Sequence, residues 1–73
     1  MAVATNIRTY RLQRKLTQAA LAARVGKQRV TMTRYELGGI DIPVSVLGEI
    51  AKALNVPLRK LLGPSSKAGP AQP

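Results

Sequence analysis

The chain has no cysteine, no histidine, no tryptophan and no phenylalanine, and its acids number only three. Without cysteine there is no disulfide framework and no thiolate metal site. Without histidine, Ser45, Ser65 and Ser66 have no imidazole to activate them. Glu36, Asp41 and Glu49 are too dispersed to form a carboxylate cluster for a metal. No catalytic residues, metal, cofactor or small-molecule ligand are therefore expected, and the chain does not read as an enzyme. No apolar run approaches the roughly 18 residues that a membrane span needs. The opening "MAVATNIRTYR" lacks the apolar stretch of a secretory signal, so a cytoplasmic location is expected. Tyr10 and Tyr35 are the only aromatics, which leaves the core to Leu, Ile, Val and Ala.

What is present is positive charge. Twelve Lys and Arg give a formal net charge of +9 over 73 residues, enough for one domain at most. The bias is uneven. Arg8, Arg11, Arg14, Lys15, Arg24, Lys27, Arg29 and Arg34 fall in residues 1–35 with no acid among them, whereas all three acids lie in residues 36–73. A face charged in this way attracts a polyanion and steers its approach. Nucleic acid is the commonest partner of that kind, and an anionic membrane surface is the rival.

Apolar residues recur at helical spacing throughout, and no stretch alternates long enough to compete as a strand. The first helix is expected over about Ala4 to Arg14, with Ile7 and Tyr10 inward. Thr17 caps a second helix, Gln18 to Val25, which ends at Gly26. A third runs over roughly Gln28 to Leu37 with Met32 and Tyr35 inward, and with Val30 off the inner face. "RVTMT" is β-branched but sits inside that helical period. Pro43 is expected as the first residue of a fourth helix reaching about Leu54, whose inward stripe is Leu47, Ile50, Ala51 and Leu54. Pro57 to Leu62 makes a short fifth. The expected fold is all-α: a compact bundle of five short helices over residues 4–62, followed by a disordered tail at 63–73.

Gln18 to Leu37 forms a unit. Ala22 is small where two steeply crossed helices approach, Gly26 allows the positive φ of a tight turn, and Leu21, Val25, Met32 and Tyr35 supply apolar inner faces. This is the pattern of a helix-turn-helix, whose second helix lies in the DNA major groove. Its outer face offers Gln28, Arg29, Val30, Thr33 and Arg34. Arginine's fork fits guanine O6 and N7, glutamine fits adenine, and valine or threonine methyls pack on the thymine methyl. These five are the candidate base-reading residues. Arg8, Arg14, Lys15, Arg24 and Lys27 are candidate phosphate contacts, which position without specifying. The plainer reading of Arg29 and Arg34 is that they solvate a surface helix; the helix-turn-helix frame favours contact with DNA.

The motifs "IRTYR", "LTQAALAARVG", "TRYELG" and "LGEIAKALNVPLRKLL", in this order from Ile7 to Leu62, resemble the lambda-repressor-like (Cro/repressor, XRE-type) helix-turn-helix DNA-binding family. The resemblance implies that Gln18 contacts a phosphate and that Gln28, Arg29, Val30, Thr33 and Arg34 face the groove. It also implies a structural salt bridge between Arg11 and Glu36, and a loop, Gly38–Asp41, lying against phosphates. A prokaryotic or phage origin and a place at the nucleoid follow from the same likeness. Lys27 stands where the family usually has a small aliphatic residue, Gln28 where a serine cap is common, and Asp41 brings negative charge to a loop expected near phosphate.

The function implied is a sequence-specific, double-stranded DNA-binding transcriptional regulator, acting as a homodimer. Ile40, Ile42, Val44, Val46, Leu58, Leu61 and Leu62 exceed what short helices need for an interior. They either make a self-interface or close the core. The alternative function is a protein-binding adapter or antitoxin on the same fold, for which eight bases without an acid in residues 1–35 have little use.

Overall fold

The computed structural model describes residues 3–63. Among these there are five helices and no strand: α1 (Val3–Gln13), α2 (Gln18–Arg24), α3 (Arg29–Leu37), α4 (Val44–Leu54) and α5 (Leu58–Leu62). The segment expected to be a disordered tail lies, from residue 64 onward, outside the described residues.

The first four helices stop in the same way. After each, one residue takes a left-handed conformation: Lys15 (φ 59°), Gly26 (φ 70°), Gly38 (φ 76°) and Asn55 (φ 59°). The next residue's N–H then reaches back to a carbonyl inside the last turn, at 3.1 Å for Leu16 to Arg11, 2.9 Å for Lys27 to Ala22, 3.1 Å for Gly39 to Arg34 and 3.0 Å for Val56 to Ala51. These are Schellman turns, which satisfy carbonyls that the helix leaves without partners. Glycine and asparagine take up this conformation readily. Lys15 does so with a full side chain, and nothing in its residue type announces that role.

The starts are less uniform. Thr17 accepts from the Ala20 N–H at 3.0 Å and caps α2. Pro43 is not the first residue of α4. It is extended (ψ 147°), and its carbonyl accepts from the Leu47 N–H at 2.9 Å. That makes it the flanking cap position, one residue earlier than expected, and Val44 opens the helix.

The core is aliphatic apart from Met32 and Tyr35, and it draws on every helix: Val3 and Ile7 from α1, Leu21 and Ala22 from α2, Met32 and Tyr35 from α3, the Leu47–Ile50–Ala51–Leu54 stripe from α4, and Leu61 from α5. Tyr10, Val25, Ile42, Val46 and Leu58 pack against it part-buried. Ile42, Val46, Leu58 and Leu61 therefore serve the interior. Ile40, Val44 and Leu62 stay exposed, together with Leu37.

Two polar clamps tie the helices together. Asn6 is fully buried on α1, and its Nδ2 donates to the carbonyls of Leu61 (3.0 Å) and Gly63 (2.7 Å), fixing the end of α5. Arg14 donates from Nε to the Leu54 carbonyl (2.7 Å) and from Nη2 to the Asn55 carbonyl (3.3 Å), placing a cation where the α4 carbonyls and the helix dipole favour one.

Candidate nucleic-acid interface

The helices α2 and α3 make the most extensive packing of any pair. Ala22 is buried between them, and Gly26 has nothing near the place a Cβ would occupy. Its requirement for glycine is thus one of backbone conformation and not of space. With Met32 and Tyr35 anchored inside, the opposite side of α3 faces solvent.

That side carries Arg29, Val30 and Arg34 exposed, with Thr33 part-buried at its edge. Val30 is 53% exposed. Gln28 precedes the helix in extended conformation and makes no side-chain cap bond. Leu37, seven residues beyond Val30 and hence on the same stripe, is 78% exposed. Sequence reasoning took Leu37 only as the helix end; its spacing from Val30 was the available signal.

The scaffold beneath this face is a polar chain across three helices. Arg11 Nε donates to Glu36 Oε2 at 2.6 Å and Arg11 Nη2 to Glu36 Oε1 at 3.0 Å, a two-pronged pair with side chains only 8% and 2% exposed. Arg11 Nη1 also donates to the Leu16 carbonyl at 2.8 Å. Gln18 Nε2 donates to Glu36 Oε1 at 3.1 Å, and Gln18 Oε1 accepts from the Thr33 hydroxyl at 2.7 Å. The Gln18 amide is thereby oriented: its oxygen meets Thr33, its nitrogen meets the carboxylate, and one N–H remains for an outside acceptor.

Arg8, Lys15, Arg24 and Lys27 are exposed, and among the described residues the one ion pair is Arg11–Glu36. Arg14 differs from them because its guanidinium already serves the α4 carbonyls. Asp41 is exposed in the α3–α4 loop. Beside this loop lies an open groove, lined in part by Val3, Leu37, Ile40, Ile42 and Leu62, between α1, α3 and α5. No helix among the described residues is long and apolar enough to cross a membrane.

A helix-turn-helix family model matches residues 7–61. Among curated proteins no match is found. Among solved structures the chain is similar to the crystal structure of a hypothetical transcription factor, NHTF, from Neisseria. The TM-score is 0.85 at 29% sequence identity, covering 90% of this chain and 76% of that one.

Proposed function

The chain belongs to the helix-turn-helix family of the lambda-repressor type, a family of DNA-binding regulators, and from that membership we propose that it reads the major groove of a specific duplex with α3. The observation that carries the reading is the outward face of α3: Arg29, Val30 and Arg34 open to solvent and outside any ion pair, on a helix held from behind by Glu36. The same group of residues fits guanine edges and thymine methyls.

In this reading Gln28, Arg29, Val30, Thr33 and Arg34 contact base edges. Gln18 gives its remaining N–H to a phosphate, and Arg8, Lys15, Arg24 and Lys27 supply the charge that holds the duplex. Arg14 contributes to the fold and only secondarily to the field. The likeness to a hypothetical transcription factor supports a role in transcription regulation, without catalysis.

The regulator acts as a homodimer. A single module of this size covers about 600–1,000 Å² on DNA, and two half-sites one helical turn apart multiply its specificity. Leu37, Ile40 and Leu62, which line one groove, are the surface we assign to the second copy, together with the exposed Val44 at the start of α4. Exposed patches of this kind measure about 300–600 Å², so two of them bury about 600–1,200 Å², at or below the lower bound of a standard stable interface. Pairing is accordingly weak in free solution and is completed on DNA.

Selection of a duplex from random sequence tests the reading. Enrichment of a two-fold symmetric motif supports it. Failure to enrich any motif, with tight capture of a protein partner by the Leu37–Val44 surface, would favour the adapter.

A further inference from the structure

Thr33 has its hydroxyl turned toward the protein. Oγ1 lies 2.7 Å from Gln18 Oε1 and 3.1 Å from the Arg29 carbonyl oxygen. A hydroxyl has one proton, and both acceptors in reach belong to this chain. The arrangement cannot be reversed by turning Gln18 over. Glu36 Oε1, 3.1 Å from Gln18 Nε2, only accepts, and Glu36 is held by Arg11 on its other side. A turned amide would set its oxygen against the carboxylate and its nitrogen against a hydroxyl already bonded to Arg29. The hydrogen bonds therefore run from Thr33 to Gln18 to Glu36 and end at that carboxylate, which Arg11 donates to from the opposite direction.

Thr33 nonetheless sits on the edge of the exposed face, part-buried and next to Arg34. With its one proton committed behind it, Thr33 can donate to no base; what it has left is its γ-methyl and the lone pairs of an oxygen drawn toward Gln18 and the Arg29 carbonyl. Resting on the reading of α3 as the base-reading helix, we propose that Thr33 is a specificity-determining residue that selects thymine by contact with the 5-methyl group and not by hydrogen bonding. Gln18 and Glu36 are positioning residues that hold the hydroxyl out of the groove. Serine and threonine are otherwise free to bond several bases and discriminate little. Committing the proton inside converts an ambiguous reader into an apolar one.

The test uses the full chain and the duplex that it enriches. Each thymine is replaced in turn by uracil, which removes one methyl and nothing else. At the thymine under Thr33 the substitution weakens binding about fourfold, the value of one buried methyl-sized group. Thr33→Ser keeps the hydroxyl and removes the methyl. In that variant the uracil effect vanishes at this one position and persists at a thymine read by Val30. Thr33→Val keeps a methyl and removes the proton. Its uracil effect persists while affinity for all duplexes falls, because Gln18 keeps Glu36 but loses the hydroxyl that holds its amide oxygen. A serine variant that still discriminates at every thymine overturns the assignment, as does a valine variant that has lost the discrimination. An enriched duplex with no serine-sensitive thymine defeats the role of Thr33 and leaves the reading of α3 intact. Failure to enrich any duplex defeats both.

Discussion

Arg11 and Glu36 are twenty-five residues apart in the chain and 2.6 Å apart at Nε and Oε2, with both side chains withdrawn from solvent. The pair joins the start of the fold to the helix that faces outward, and it carries Gln18 and Thr33 with it. Breaking it and replacing it are different experiments. Glu36→Ala leaves a buried guanidinium without its partner and should cost about 3–5 kcal/mol. Against a total of about 5–15 kcal/mol for a domain, that variant is at best marginally folded. The double variant Arg11→Met with Glu36→Leu removes both charges and should recover most of the loss. Urea unfolding of Glu36→Ala and of the double variant checks this, and a double variant no more stable than Glu36→Ala contradicts it.

Gly26 separates backbone strain from crowding. A Cβ there meets nothing within 4 Å, yet φ is +70°. Gly26→Ala should therefore destabilise by about 1 kcal/mol through conformation alone, lowering the melting temperature by roughly 4–8 °C for a domain of this size. A loss of several times that would show that the turn is packed more tightly than its geometry indicates.

Asn6 is the only tie from an α1 side chain to the end of α5 among the described hydrogen bonds. Asn6→Ala removes two bonds to carbonyls and leaves those carbonyls near the core. The expected loss is about 1–3 kcal/mol, with faster amide exchange in α5 than in α4. Uniform exchange across both helices would mean that Leu61 alone anchors α5.

The surface assigned to the second copy is tested by charge. Val44→Lys changes an exposed side chain, so the monomer should keep its stability within about 0.5 kcal/mol. Binding to a two-half-site duplex should lose its cooperativity, while binding to a single half-site is unchanged. Equal binding curves for the variant and the wild type on the full site would remove this surface from the dimer.

These relationships differ in how far the chain itself announces them. The α4 stripe and the α2–Gly26–α3 turn were legible because local rules govern them: one apolar face repeats every three or four residues, and one small residue sits where φ must be positive. Pro43 was misplaced by one residue, since its fixed φ suits the cap and the first helical position alike. Asn6, Arg14 and Lys15 were not legible in these roles. The carbonyls that hold Asn6 lie 55 and 57 positions away, and those that hold Arg14 lie 40 and 41 positions away. Only the assembled bundle brings them together. The same holds for the inward hydroxyl of Thr33: its residue type is compatible with groove contact, but the direction of its proton depends on Gln18 and Glu36.

The central claim is that the outward side chains of α3 read base edges. The most direct measurement is the ratio of affinities for the selected duplex and a scrambled one, compared between wild type and Arg34→Ala at one fixed salt concentration. Loss of a bidentate base contact is worth about 1–3 kcal/mol of discrimination, so the ratio should fall by about 5- to 150-fold. An equal weakening on both duplexes, leaving the ratio unchanged, would reduce Arg34 to a phosphate contact and contradict the account.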